Sequence, residues 1–132
     1  MQQRAGLLFL SSTTGRILLI LEDQKWTVPT FPRSTNLLDD AKPLITSLYG
    51  NEARVLPIEL YLSEDKGFEY GTYVCLVKDE FLTTSVDTIS WSHLDYLPKQ
   101  LHNGLKTTLN NPLTRAKIDT ILKLENVNNY TA

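Results

Sequence analysis

A three-layer α/β/α sandwich built on a mixed sheet is the α/β fold class that this sequence predicts, and three observations predict it. Ala5–Leu10 and Arg16–Leu21 are apolar runs bounded by turn chemistry, the pattern of strands buried on both faces. Two longer strands, 54–62 and 68–78, follow further along the chain. Helical periodicity appears before them, over 37–49, and again after them, up to about Leu124. Strands mixed with helices in this order need a helical layer on each side of one sheet.

The opening hairpin turns through Ser11–Gly15, whose Ser, Thr and Gly residues suit a turn. Trp26–Pro29 is extended, because the residue before a proline is driven out of the helical region. A polar, proline-containing loop over Thr30–Asn36 is expected next. In the first helix Ala41, Leu44, Ile45, Leu48 and Tyr49 form one apolar face. Asn36 or Thr35 caps it, Asp39 and Asp40 complement its dipole, and Gly50 ends it. Pro43 opposes a full-length helix, since an interior proline removes a hydrogen bond and clashes one turn back. The expectation is therefore a short helix beginning near Lys42.

A hairpin turn at Ser63–Gly67 joins the two long strands. In the second, Tyr70, Thr72, Val74 and Leu76 face one way and Gly71, Tyr73, Cys75 and Val77 the other. Both sets are largely apolar, which makes the strand central in its sheet. Thr88–Trp91 is a short strand. Pro98 and the Lys99–Gln100 pair break the chain before 101–109. The last helix begins at Asn111-Pro112, with proline at its favoured first position, and runs to about Leu124 on a stripe of Ala116, Ile118, Ile121, Leu122 and Leu124. The expected organisation is a single domain over 1–132, its core at about 4–124, with a polar, frayed tail over 126–132.

Composition bounds the function. The 132 residues are 42% hydrophobic and 21% charged, enough for one self-sufficient core. Cys75 is the only cysteine, which excludes an intrachain disulfide framework and any zinc site of several thiolates. A net charge of −2 gives no general polyanion-binding surface. Ala5–Leu10 is too short for a signal-peptide core and no segment approaches bilayer-spanning length, so the expected location is cytoplasmic, with no membrane partner. Residues 1–98 carry 8 basic and 13 acidic side chains, whereas 99–132 carry Lys99, Lys106, Arg115, Lys117 and Lys123 against Asp119 and Glu125. That dilute basic block reads first as a solvated helical face.

Five places in this order resemble the Nudix hydrolase family. The hairpin of Ala5–Leu10 and Gly15–Ile20 is similar to the family's opening strands. Trp26-Thr-Val-Pro29 resembles the W-x-x-P leading into the Nudix box, and the helix ending at Gly50 lies where the box helix should lie. Tyr70–Val77 resembles the central strand. Trp91 through Leu97-Pro98 is similar to the segment before the C-terminal helix, and Lys99-Gln-Leu-His102-Asn-Gly-Leu resembles a run of some, phage-type members, with Gln100 and Asn103 replacing two of its prolines. The resemblance implies a Nudix-like sandwich and, since such proteins often pair, a homodimer.

The box itself departs from the pattern G-x5-E-x7-R-E-U-x-E-E-x-G-U, where U is aliphatic. In the family its glutamates hold Mg²⁺ or Mn²⁺ against a diphosphate, as hard cations want oxygen ligands. Anchored on Gly50, the R-E-U-x-E-E stretch falls on Pro43-Leu44-Ile45-Thr46-Ser47-Leu48, where only the aliphatic position survives. The glycine pair after W-x-x-P is Thr30-Phe31, the loop is about two residues short, and the upstream glutamate position falls near Thr35. Asp39 and Asp40 lie one to two turns too early. Glu52 follows the helix, and Glu64, Asp65 and Glu69 gather at a hairpin tip where solvated acids are ordinary. No catalytic residue and no metal ligand is assigned, and no cofactor is expected beyond Mg²⁺ or Mn²⁺ for a divergent hydrolase.

His93 and His102 lack metal-ligand spacing, and Cys75 in a central strand reads as inert core. Neither a Walker A motif nor G-x-G-x-x-G is present. Tyr61, Phe68, Tyr70 and Tyr73 lie on the long strands, where sheet packing is the plainer role. In the family, aromatic side chains near the cleft commonly stack a base, and the resemblance makes Trp26, Phe68 and Tyr70 ligand-binding candidates, with Arg4 and Arg33 for phosphates. The leading expectation is a catalytically degenerate Nudix-fold protein that binds a nucleotide, RNA or a protein partner. The alternatives are an active divergent hydrolase of a nucleoside-diphosphate-linked substrate, and a structural subunit whose basic C-terminal helices contact a larger complex.

Overall fold

The computed structural model describes the backbone of residues 2–51, 53–65 and 68–131, and the side chains of 3–51, 53–62 and 70–126. Among them are the strands β1 (Gln2–Ser11), β2 (Ile17–Glu22), β3 (Lys25–Thr27), β4 (Thr30–Pro32), β5 (Arg54–Asp65), β6 (Phe68–Val77) and β7 (Ile89–Ser92) and the helices α1 (Leu37–Leu48), α2 (Asn103–Asn110) and α3 (Pro112–Thr131). The strands form one mixed sheet in the order β3-β2-β1-β6-β5, with β4 paired to β1 and β7 to β2. β1 and β6 run parallel from Gln2↔Phe68 to Ser11↔Val77. The other pairings are antiparallel.

Alternation along β1 and β6 divides the interior into two cores. Leu8, Leu10, Val74 and Leu76 meet Leu105, Leu109 and Ile118 of α2 and α3 on one face. Ala5, Leu7, Phe9, Cys75 and Val77 meet Ala41, Ile45 and Leu48 of α1 on the other. Each fully buried leucine contributes about 1.5–3 kcal/mol, so both helical layers are held chiefly by apolar burial. The α/β/α sandwich follows from sequence period alone: two in the strands, 3.6 in the helices. No helix among the described residues is long and apolar enough to cross a membrane.

Several local expectations change. The Thr30–Asn36 loop begins as strand β4, whose Arg4↔Pro32, Ala5↔Phe31 and Gly6↔Thr30 pairing leaves Phe31 3% exposed in the α1-side core. One buried aromatic fixes what looked like polar coil, and Pro32 is tolerated because the strand is short and flanking. Helix α1 is not short: it spans 37–48 with Pro43 inside. Asn36 Oδ1 accepts the Asp39 N–H at 2.9 Å, the Asn36 carbonyl accepts from Asp40, and Ala41, Ile45 and Leu48 are buried. Capping and burial outweigh the proline's local cost of about 3 kcal/mol. Gly50 (φ +80°) closes α1 in the left-handed region, its N–H returning to the Ile45 carbonyl at 3.1 Å.

Helix α3 continues past Leu124 to Thr131. Of its expected stripe, Ile118, Ile121 and Leu122 pack inward, while Ala116 is exposed and Leu124 is 59% exposed; Thr114 is buried in their stead. β5 runs on to Asp65, past the start of the turn expected at Ser63–Gly67. Glu52, Lys66 and Gly67, and the side chains of Glu64, Asp65, Phe68 and Glu69, lie outside the described residues.

Candidate ligand-binding groove

The face of the sheet beneath α1 is closed. Asp40, whose side chain is 4% exposed, accepts from Arg33 Nη1 at 2.6 Å, from the backbone N–H of Ser34 at 2.9 Å and from the Thr35 hydroxyl at 2.7 Å. The Ser34 N–H is the main cause holding this carboxyl well below the usual carboxylate range; burial opposes it, and Thr35 reinforces it. Arg33 also lies 5.9 Å over the Tyr73 ring, and the Tyr73 hydroxyl donates to Glu59 Oε2 at 3.2 Å. Asp40 thus staples the loop before α1, and Arg33 ties that loop to the sheet.

At the other end of α1, the segment 78–88 straps across the helix. The Phe81 ring stands 5.3 Å from Phe9, 4.6 Å from Tyr49 and 5.2 Å from Trp91, and Trp91 Nε1 donates to the Phe81 carbonyl at 2.9 Å. Ser85 Oγ donates to the Ser47 carbonyl. The positions aligned with the box glutamates are Leu44, half-buried; Ser47, exposed; and Leu48, 4% exposed. One hydroxyl and two aliphatic chains do not fit Mg²⁺ or Mn²⁺, which need several oxygen ligands. Among the described residues no three His, Cys, Asp or Glu side chains converge as a metal site. Cys75 is fully buried beneath this face, and burial pushes its thiol up to about 12, so it supplies no nucleophile.

The opposite face is open. A groove of about 750 Å³ runs between the sheet and α2. Its floor is Gly6 and Thr72, neighbours across β1 and β6. A Cβ at Gly6 would stand 3.0 Å from Val28 Cγ2, so a larger residue there would press on Val28. Tyr61 and Tyr70 line the side toward β5, and Arg4 lies beside them with its Nη2 donating to Thr30 Oγ1 at 2.9 Å. The β2–β3 hairpin, with Asp23 (φ 49°) and Gln24 (φ 65°) in its left-handed turn, brings Glu22, Asp23 and Lys25 to the lip. The first turns of α2 form the facing wall. His102 caps that helix, its Nδ1 accepting the Gly104 N–H at 3.2 Å.

Of the five residues expected at a ligand, Arg4 and Tyr70 line this groove together. Trp26 is half-buried against the α2-side core; its backbone N–H donates to the Gln100 carbonyl at 2.7 Å and its carbonyl accepts from the His102 backbone N–H at 2.9 Å. It positions the start of α2 instead of lining the cleft. Arg33 is on the α1 face, engaged with Asp40. Phe68 belongs to β6, and its side chain lies outside the described residues. Thr30, Thr72 and α2's first turn also line the groove; of these only Thr72 carries a signal in the sequence, the alternating face that it shares with Tyr70. His93 lies elsewhere, its ring 5.9 Å from that of Tyr96.

No family model matches the sequence, and no curated protein matches it. Solved structures do. The chain is similar to a Nudix hydrolase family member from Chromobacterium violaceum, with TM-score 0.66, 13% identity, and 94% of this chain and 90% of that one covered. It is similar to a MutT Nudix hydrolase from Burkholderia pseudomallei, with TM-score 0.56, 20% identity and coverage of 85% and 99%. A C. elegans Ap4A hydrolase matches with TM-score 0.59, 14% identity and coverage of 91% and 99%. At such identities the likeness speaks to architecture, and with helices on both faces of the mixed sheet it leads to one statement: this chain has the Nudix fold.

Proposed function

We propose that this protein is a catalytically degenerate Nudix-fold protein that acts by binding a nucleotide-type ligand in the groove between the sheet and α2. The observation that carries the reading is the contrast in donor sets. Leu44, Ser47 and Leu48 occupy the aligned metal-ligand positions, while the groove gathers Tyr61, Tyr70, Arg4 and Lys25. Aromatic faces suit a base and cations suit a phosphate. A homodimer is compatible with this reading and is not needed for it.

The test has two parts. Purified protein at high concentration is incubated with Mg²⁺ or Mn²⁺ and ADP-ribose, Ap4A or nucleoside triphosphates, and no product is expected. Nucleotides should raise the melting temperature, since ligand at 100 times its Kd contributes about 2.7 kcal/mol. Turnover would establish instead the divergent hydrolase, a reading favoured by Glu22 and Asp23 at the groove lip. Absence of both turnover and a shift would favour a protein partner. The basic helices offer less to a large complex than their charge suggests. Arg115 is spent on the Leu94 and Leu109 carbonyls and Lys117 on those of Glu59 and Leu60, leaving Lys99, Lys106 and Lys123 exposed.

A further inference from the structure

The register of the sheet arranges the groove's side chains in rows. Arg4 stands opposite Tyr70 across β1 and β6, and Gly6 opposite Thr72. Tyr61 stands opposite Thr72 across β5 and β6. Neighbouring strands lie about 4.8 Å apart and diagonal same-face residues about 7–8 Å apart. Tyr61 and Tyr70 are therefore diagonal neighbours on one face, with the Arg4 guanidinium beside the second. Beside them, across from Tyr61, the floor is the small side chain of Thr72 and then bare backbone at Gly6. That arrangement is a stepped platform across three strands, with room for more than one ring. A sheet face carrying spaced aromatics is how unstacked single strands are held, each base on its own ring.

We infer that the groove binds a short single-stranded oligonucleotide, two successive bases stacking on Tyr61 and Tyr70 and a phosphate flanking the Tyr70-stacked base meeting Arg4. The inference rests on the ligand-binding reading above and names the ligand's class. The bond to Thr30 fixes the direction of the Arg4 guanidinium, and its remaining N–H donors serve the phosphate. Lys25 at the lip suits a second phosphate, whereas Glu22 and Asp23 beside it repel a third. The footprint is short, and the salt dependence is correspondingly shallow.

The experiment is fluorescence anisotropy with fluorescein-labelled, randomised-sequence single-stranded RNA and DNA hexamers, competed with AMP, GMP, CMP and UMP. A hexamer should bind at least about ten-fold tighter than any mononucleotide, because each further stacked base adds affinity. Tyr61→Leu and Tyr70→Leu should each weaken hexamer binding about 5- to 100-fold, while the Tyr→Phe variants, which keep the ring, retain it. Arg4→Gln should reduce the salt slope by about 0.7, the loss of one phosphate contact on a single strand. Melting curves of the Leu and Phe variants identify any that fails to fold. Mononucleotides binding as tightly as the hexamer would overturn the inference and leave the binding reading standing. Tight hexamer binding indifferent to the Leu variants would overturn it too. Binding of neither probe would remove both.

Discussion

The two faces of this sheet are built from alternate residues of the same strands, yet one is sealed and the other hollow. On the α1 face, Phe9, Tyr49, Phe81 and Trp91 interlock and Asp40 staples the preceding loop. On the α2 face, Gly6 and Thr72 withhold bulk where Leu8 and Val74, two residues further on, supply it. The difference teaches that alternate residues of the same strands can close one face of a sheet by packing and leave the other concave. Apolar contacts and caps hold α1 against its face, and the groove lies across the sheet from it.

The largest test of that contrast is Leu48→Glu, which restores an acid at a box position. Leu48 is 4% exposed within the α1-side core. An unpartnered carboxylate there should cost about 4 kcal/mol or more and leave the protein largely unfolded in a denaturant titration. A cooperative, near-wild-type transition would mean the α1 face is loosely packed, and the comparison would fail.

Asp40→Asn is the intermediate test. Its carboxyl sits well below the ordinary range in the folded chain, so its contribution is fully present above about pH 4, where the unfolded chain is also ionised. As pH falls below that value the unfolded chain takes up the proton first, and the stabilisation is lost down toward the depressed folded value. The substitution should lower the neutral-pH melting temperature by about 5 °C and flatten the acid limb of the melting curve against pH. An acid limb as steep as in the parent would assign the acid sensitivity to other groups.

How much of this was legible follows the range of the interactions. Alternation in 70–77 gave the central strand and both its faces, because a period of two is local. The cap at Asn36 and the stop at Gly50 were also local. Pro43 misled because its local cost is visible in sequence and the burial of Ala41, Ile45 and Leu48 that offsets it is not. Phe31 looked like loop for the same reason: its partner strand lies 26 residues earlier. At the candidate groove, resemblance nominates Arg4 and Tyr70, which line it, and Trp26, which is not among its lining residues. Its role in fixing α2 through Gln100 and His102 depends on a contact across some 75 residues that no local pattern encodes.

The smallest expected effect belongs to Ser47→Glu, which asks whether the sealed face lacks only its acids. Ser47 is exposed, and the strap engages its carbonyl, not its side chain. A glutamate there stands at the negative end of the α1 dipole, so the change should cost no more than about 0.5 kcal/mol. It restores a carboxylate at an aligned ligand position, but Leu44 and Leu48 still offer no oxygen and Phe81 still fills the adjoining space. No Mg²⁺-dependent product release from ADP-ribose or Ap4A is expected, and oligonucleotide affinity in the groove should match the parent's. Metal-dependent turnover from this single substitution would show that the α1 face keeps a latent site, and that the division of labour between the faces is chemical and not steric.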